Sequence, residues 1–114
     1  MPPVTVDDHP EAILERLGLV LPPPPPPIAS YRPWTREGAL LFISGQVSTG
    51  PAGDATGTLG DGATLEEGVA AARLCGLNLL SQIKAALDDL GKVQCVLKLT
   101  GFVKAHPASP SFPR

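Results

Sequence analysis

Apolar residues recur at steps of three and four over residues 64–91, and this spacing predicts one long helix. Thr64 and Glu67 form a capping-box pair at its start, and Gly91 is predicted to end it in a left-handed conformation. The apolar stripe of this helix consists of Leu65, Val69, Ala72, Gly76, Leu80, Ile83, Leu87 and Leu90. Asn78 lies among leucines, where we expect a hydrogen-bonded structural amide rather than a catalyst.

A shorter helical pattern lies near the N-terminus. Asp8 or His9 can cap a helix whose first turn contains Pro10, and Gly18 offers the left-handed residue just past its end. One apolar stripe runs along it: Ile13, Leu14 and Leu17. A helix this short is unstable alone, so we expect it to dock on another part of the chain.

Two apolar runs predict a β-hairpin between these helices. Residues 30–35 and 39–43 read as strands joined by a turn at 36–38, and the second strand is apolar enough to be covered on both faces. The polar stretch Ser44-Gly45-Gln46 ends this strand abruptly, and small residues there let backbone amides approach a ligand. A strand terminus with a bulge explains the same stretch equally well. Residues 50–62 predict a flexible, glycine-rich connector because they lack the lysine of a phosphate-binding loop.

A long strand is predicted over residues 93–103. Its apolar face should meet the long helix: Cys95, Leu97, Leu99 and Gly101. A hairpin, a crossover helix and a further strand form the opening of a β-α-β unit. The predicted fold class is therefore α/β (α+β), with one long helix on a mixed sheet whose last strand has an unpaired edge.

Proline and glycine divide the chain into three parts. Residues 1–27 are predicted to be a short helix and a polyproline spacer, residues 28–103 the compact domain, and residues 104–114 an irregular tail. The six consecutive prolines Pro22–Pro27 are predicted to form a stiff polyproline II rod. A ligand for an SH3- or WW-type groove is the alternative, and the apolar flanking residues favour the spacer.

Charge and composition exclude several classes of protein. Nine basic and eleven acidic residues give a net charge of −2, which argues against a nucleic-acid-binding protein. With neither a signal peptide nor an apolar run near 20 residues, we expect a cytoplasmic protein without a membrane partner. Cys75 and Cys95 are predicted to be small buried thiols. His9 and His106 lie in Pro-flanked end segments with no acid to orient them, so neither a catalytic triad nor a metal site is predicted.

Four stretches together resemble the RidA/YjgF family: Pro26–Tyr31, Leu40–Gln46, Ala71–Leu80 and Val96–Val103. The resemblance implies a chorismate-mutase-like α+β domain that forms homotrimers in intact members. Those members need no cofactor and hydrolyse 2-iminobutanoate or 2-iminopropanoate to a 2-keto acid and ammonia. Some members have been named endoribonucleases. Tyr31 and Ser44 match residues of the family's substrate cleft, and Gly45 and Gln46 complete the motif.

The resemblance also implies a residue that the 114-residue sequence does not supply. In the family an arginine on a later strand holds the substrate carboxylate through two parallel hydrogen bonds, a geometry that only Arg provides. We therefore expect a partial domain, truncated at the C-terminus, with little or no deaminase activity. A non-catalytic ligand-binding or regulatory module and a polyproline-mediated interaction protein are the alternatives.

Overall fold

The computed structural model describes residues 9–24, 32–50 and 53–107. They form two α-helices, a short 3-10 helix and six short strands: α1 (Pro10–Arg16), β1 (Trp34–Glu37), β2 (Leu40–Ile43), β3 (Thr49–Gly50), β4 (Gly53–Asp54), β5 (Thr58–Leu59), β6 (Gly62–Ala63), α2 (Leu65–Leu87) and the 3-10 helix Leu90–Lys92. Each strand pairs with one neighbour; the β1–β2 and β3–β4 pairs are antiparallel and the β5–β6 pair is parallel. Neither α-helix is long and apolar enough to cross a membrane.

Helix α1 forms where the sequence predicts it. The ring of His9 accepts a hydrogen bond from the backbone N–H of Glu11 and so caps the helix, and Pro10 follows as its first residue. Gly18 adopts a φ of 71° beyond the last turn, a conformation that glycine reaches without steric cost. The helix docks on the 3-10 helix, as its short length requires.

The predicted hairpin is present, with its turn at Gly38-Ala39 rather than at residues 36–38. Trp34 pairs with Ile43 and Glu37 pairs with Leu40. The expectation that β2 is covered on both faces is wrong for this structure, because Leu40 and Phe42 are 44% and 59% exposed. Helix α2 contacts β2, and only alternate residues of a strand can face one covering element.

The long helix α2 begins at the predicted residue and ends earlier than predicted. The hydroxyl of Thr64 accepts from the Glu67 N–H at 3.1 Å, while the Glu67 carboxylate accepts from the Thr64 N–H at 3.4 Å. The predicted end at Gly91 is wrong: the helix stops at Leu87, and Asp88 takes the left-handed position with a φ of 66°. Gly91 lies instead in the 3-10 helix, whose cap Asp89 accepts its N–H at 2.8 Å.

Helix α2 buries a polar face. Its fully buried residues are Asn78, Ser81 and Gln82, which follow each other at steps of three and one. Leu65 and Val69, the first members of the predicted apolar stripe, are exposed. At 3.6 residues per turn they lie on the side of the helix opposite Asn78 and Ser81. The helix therefore covers the small sheets with a different face from the one that periodicity indicates.

The glycine-rich connector contains β4, β5 and one residue each of β3 and β6, and it supplies one of the two buried apolar residues of the described chain. Leu59 in β5 is 7% exposed and packs against Gly68 of α2, where a Cβ atom would lie 2.6 Å from the Leu59 Cδ2. Leu90 of the 3-10 helix, at 1% exposed, is the other. The apolar core is therefore small.

The predicted strand over residues 93–103 is not formed in this structure. The segment has no assigned helix or strand, and its apolar side chains do not meet α2 but lie exposed. Cys95 is exposed as well and Cys75 is half-buried, so the expectation of two buried thiols is wrong. A strand requires a neighbouring strand to satisfy its backbone, and within the described residues this segment has none.

Candidate functional site

The stretch Ser44-Gly45-Gln46 follows directly after β2 and is tied back onto the hairpin. The backbone N–H of Ser44 donates to the carbonyl of Pro33 at 2.9 Å, and its hydroxyl donates to the carbonyl of Arg32. The side-chain amide of Gln46 donates to the carbonyl of Ser44 at 3.0 Å. The side chains of Ser44 and Gln46 therefore hold this stretch in place through hydrogen bonds, and both residues are half-buried.

Gly45 is the open position of this stretch. It is exposed, and a Cβ atom built on it would meet nothing within 4 Å. No hydrogen bond joins its backbone N–H to the rest of the described chain. The backbone N–H of Gly45 follows a serine whose position is fixed by hydrogen bonds, so the direction of this donor is fixed as well. Such a donor can bind a small oxygen-bearing ligand.

Helix α2 holds the residues that follow this stretch. The side-chain amide of Asn78 donates to the carbonyls of Val47 and Thr49, both at 3.0 Å, and Asn78 itself is 2% exposed. One turn earlier, Leu74 packs so closely on Gly50 that a Cβ there would lie 2.8 Å from its Cδ2. The predicted structural role of Asn78 is confirmed, and its function is to fix the loop that carries the candidate site.

Tyr31, the other predicted cleft residue, lies outside the described residues. Whether it faces Ser44, Gly45 and Gln46 therefore stays a prediction. Pro25–Pro27 of the polyproline run lie outside the described residues too. Pro22 is described, and its carbonyl accepts a hydrogen bond from the Ser81 hydroxyl at 2.6 Å.

A second polar cluster joins α1 to the end of α2, and it was not predicted from the sequence. The ring nitrogen Nε2 of His9 lies 2.8 Å from Oδ1 of Asp89, although 80 residues separate them in the chain. Lys84 forms an ion pair with Glu11 beside them. The expectation that no acid orients His9 is therefore wrong. Short-range sequence spacing carries no signal for a pair this far apart.

The same cluster has a composition that could ligate a metal ion, since one ligand atom each of His9, Glu11 and Asp89 lies within 4.8 Å of the others. Its hydrogen bonds do not fit a metal ion. The Nδ1 of His9 accepts from a backbone N–H, so in the neutral ring Nε2 carries the proton and has no free lone pair. Glu11 is neutralised by Lys84. The cluster therefore holds α1 against the end of α2 and the 3-10 helix.

The carboxyl group of Asp89 accepts two hydrogen bonds in this cluster, from His9 and from Gly91. Its pKa is lowered from the ordinary value of 3.8, first because the backbone N–H of Gly91 donates to it and second because His9 does. Hydrogen bonds to the charged form of a carboxyl group favour ionisation. Lys92 lowers the pKa further through its charge.

Comparison with known proteins identifies relatives that are longer than this chain. No protein-family model matches the sequence. Protein TCP17 of Trypanosoma cruzi is 43% identical over 98 residues, which cover 85% of this chain. The match spans only 61% of the length of TCP17.

Two solved structures share the fold. The protein Atu1372 of Agrobacterium tumefaciens, whose function is unknown, superposes with a TM-score of 0.74 and 39% sequence identity, covering 86% of this chain and 61% of that one. A candidate endoribonuclease of Shewanella oneidensis superposes with a TM-score of 0.68 and 36% identity, covering 72% of this chain and 55% of that one. Both have YjgF-like folds, so the predicted α+β, YjgF-like fold class is confirmed.

Proposed function

We propose that this chain forms part of a RidA/YjgF-like domain and binds a small 2-imino or 2-keto acid at Ser44-Gly45-Gln46. Support comes from the YjgF-like folds of its structural neighbours and from the motif at the end of β2. In the complete domain, the activity implied by the resemblance is hydrolysis of 2-iminobutanoate or 2-iminopropanoate to a 2-keto acid and ammonia. The resemblance also implies a homotrimer as the assembled form.

The observation that carries this proposal is the backbone N–H of Gly45, which has no hydrogen-bond partner among the described residues and lies between two residues held by hydrogen bonds. Ser44 is held by Arg32 and Pro33, and Gln46 holds Ser44 in turn. A carboxylate or keto oxygen bound at Gly45 would gain a hydrogen bond without ordering the loop, which lowers the entropic cost of binding. Adding a side chain at Gly45 fills the space that the ligand would occupy.

The chemistry of this site favours attack by water over covalent catalysis. The hydroxyl of Ser44 donates to a backbone carbonyl, and among the described residues it has no base that could accept its proton. Imine hydrolysis needs no protein nucleophile, because water adds to the imine carbon directly. It does need the substrate held by its carboxylate, the role of the family's arginine. We therefore propose that the 114-residue polypeptide alone binds such acids without turning them over.

Binding is tested by NMR titration of the chain with 2-oxobutanoate. We expect amide shifts confined to Ser44, Gly45, Gln46 and their neighbours, and we expect Gly45→Val to abolish them. Gly101→Val is the matched control, because Gly101 is also exposed with nothing within 4 Å of a built Cβ. Shifts that are absent, or that survive Gly45→Val, contradict the proposal.

Turnover is tested separately by generating 2-iminobutanoate with a pyridoxal-phosphate dehydratase and timing its loss. We expect the rate to be the same with and without the 114-residue chain. A clear acceleration by the chain contradicts the second half of the proposal and leaves the binding result unaffected. The same experiment with intact TCP17 shows whether the longer relative is an active deaminase.

RNA cleavage is the competing activity, since the Shewanella neighbour is named a candidate endoribonuclease. Cleavage of RNA requires cations for the phosphates and groups that transfer protons. A chain with a net charge of −2 has no excess of cationic groups to bind phosphates. Among the described residues, the Ser44 hydroxyl bonds to a backbone carbonyl and not to a titratable side chain that could accept its proton. We expect no cleavage of single-stranded RNA by the chain, and cleavage that Gly45→Val removes would assign the site to RNA instead.

The polyproline run is proposed to be a spacer rather than a ligand. Pro22 is tied to α2 by the Ser81 hydroxyl, and Leu21 before it is half-buried. A ligand for an SH3- or WW-type groove presents its prolines to the partner instead. We therefore expect SH3 and WW domains to capture the unaltered chain and a variant with Pro22–Pro27 replaced by Gly and Ser equally, both at background level. Capture that the replacement removes contradicts the spacer role.

A further inference from the structure

Residues 9–24, the N-terminal segment, dock on the rest of the chain with much of their apolar surface left in water. Helix α1 has no fully buried residue, and Ile13, Leu17 and Val20 are 37%, 66% and 84% exposed. Polar contacts must therefore provide much of the docking. A helix of seven residues is unstable without tertiary contacts, so α1 should persist only while the segment is docked.

The first attachment point is a space beside Gly91 that the ring of His9 fills. A Cβ atom built on Gly91 would lie 2.6 Å from Nε2 and 2.9 Å from Cδ2 of His9. The backbone of Gly91 does not itself require glycine, because its φ lies outside the left-handed range. The missing side chain therefore serves the docking of His9, whose Nε2 lies 2.8 Å from Oδ1 of Asp89.

The second attachment point lies on the buried polar face of α2. The hydroxyl of Ser81 donates to the carbonyl of Pro22 at 2.6 Å, and Ser81 is 3% exposed. A hydroxyl that is removed from water without a hydrogen bond costs free energy. The bond to Pro22 is therefore part of what allows the segment to cover this face of α2.

The same face of α2 holds the loop of the candidate site. Asn78, three residues before Ser81, donates to the carbonyls of Val47 and Thr49 and is 2% exposed. Residues three apart on a helix are neighbours on one side of it. The N-terminal segment and the loop are therefore attached side by side.

The chain itself makes a second connection between the segment and the loop. The hydroxyl of Ser44 donates to the carbonyl of Arg32, which follows Pro22 by ten residues. While Pro22 is fixed on α2, the chain that leads to Arg32 has fewer conformations available to it. Undocking of Pro22 would remove this restriction, and the acceptor of Ser44 would become freer to move.

We propose that docking of the N-terminal segment controls the order of residues 44–49, so that the loop of the candidate site is fixed while the His9 ring occupies the space beside Gly91. The segment undocks as a unit, with melting of α1, while α2 and the β1–β2 hairpin stay folded. The undocked chain binds a small 2-keto acid more weakly, because the ligand must then order the loop itself. This last step rests on the proposed function, whereas the docking and its effect on the loop do not.

Gly91→Ala tests the docking, because it fills the space for His9 without removing a charged or hydrogen-bonding group. The measurement is amide hydrogen exchange at Leu17 and Leu19, whose N–H groups bond to carbonyls within the segment. We expect both to exchange about tenfold faster than in the wild type. Gly101→Ala is the matched control, because a Cβ on Gly101 would meet nothing within 4 Å, and it should change neither rate.

The effect on the loop is measured in the same experiment at Ser44 and Thr49. Their N–H groups donate to the carbonyls of Pro33 and Val47, so their exchange reports the order of the loop. We expect both to exchange faster in Gly91→Ala and to be unchanged in the control.

Ser81→Ala attacks the docking from its other end. It removes the hydroxyl that holds Pro22 and places the best helix former in α2. Circular dichroism at 222 nm should show that α2 stays folded, while the same two groups of amides exchange faster. This variant keeps the proposal testable if Gly91→Ala does not fold.

The outcomes separate the parts of the proposal. Unchanged exchange at Leu17 and Leu19 in both variants would overturn the docking mechanism. Faster exchange there without any change at Ser44 and Thr49 would show that the loop is fixed independently, and would overturn control of the site.

Titration with 2-oxobutanoate distinguishes this proposal from the proposed function. In a chain that carries both Gly91→Ala and Ser81→Ala we expect the undocked form to dominate, and the shift of the Gly45 amide to require about threefold more ligand or more. Equal titration curves would overturn the effect on binding. Absence of any shift in the wild type would contradict the proposed function and leave the exchange results unaffected.

Discussion

His9 donates its Nε2 proton to Oδ1 of Asp89 at 2.8 Å, and this bond joins the first residue before α1 to the cap of the 3-10 helix. The tautomer follows from the other ring nitrogen, which accepts from the N–H of Glu11. The same oxygen of Asp89 also accepts from the N–H of Gly91. One carboxylate thus fixes a local turn and a helix that lies 80 residues away in sequence.

The stability contributed by the Asp89 charge should be lost in acid. Its pKa in the folded chain is below the ordinary 3.8, so the contribution is complete above about that pH and disappears as the pH falls through the folded value. Asp89→Asn should therefore unfold at lower urea than the wild type at pH 7, with the difference shrinking below pH 4. Urea midpoints at pH 7, 5 and 3 measure this.

Two comparisons identify the cause of that pH dependence. The hydrogen bond from the Gly91 N–H lowers the pKa of Asp89 independently of His9, so the acid effect should persist in reduced form in a His9→Ala background. Asp88→Asn is the matched control, because it removes a neighbouring acid and retains a side chain that tolerates the left-handed backbone. A difference for Asp89→Asn that stays constant between pH 7 and 3 would show that the charge is not involved.

Asn78→Ala should destabilise the chain and loosen the candidate site. Asn78 is buried, and the change removes both hydrogen bonds that its side chain donates to the carbonyls of Val47 and Thr49, at a cost of about 1–3 kcal/mol. Urea unfolding measures the loss, and faster amide exchange over residues 44–49 would show that the loop is released. Gln94→Ala removes an exposed amide and should change stability by less than about 0.5 kcal/mol. Equal effects would contradict the anchoring role.

Two glycines of α2 should respond in opposite directions to replacement by alanine. Gly76 has nothing within 4 Å of a built Cβ, so Gly76→Ala should stabilise the helix by about 0.5–1 kcal/mol. At Gly68 the new Cβ would lie 2.6 Å from the Leu59 Cδ2. This crowding should cost about 1–3 kcal/mol, more than the helix gains, so Gly68→Ala should destabilise the chain. Thermal unfolding of both variants is the measurement, and a stabilising Gly68→Ala would show that Leu59 moves freely.

Thr64→Ala should lower stability by about 1 kcal/mol through loss of the N-terminal cap of α2. The N–H of Glu67 would lose its acceptor, while the rest of the helix keeps its contacts. Thr100→Ala is the control, because Thr100 is exposed outside any helix or strand. Circular dichroism at 222 nm during urea unfolding follows the helix directly. An unchanged midpoint for Thr64→Ala would mean that the capping box does not contribute.

The sequence alone determined the parts of this protein that depend on neighbours a few residues apart. Thr64 and Glu67 are three residues apart, and residue types at that spacing are enough to predict the reciprocal bonds that cap α2. The cap and first turn of α1 at His9 and Pro10, and the β1–β2 hairpin, are local in the same way. The RidA/YjgF resemblance likewise indicated the fold that the structural neighbours share.

Tertiary structure decided the features that require distant partners. Helix α2 has apolar residues on more than one side, so periodicity alone does not choose between the side of Leu65 and the side of Asn78; the loop carbonyls that bind Asn78 make that choice. The strand predicted over 93–103 has the right residues, but its backbone bonds must come from a neighbour. The bond between His9 and Asp89 exists only because packing places α1 against the 3-10 helix.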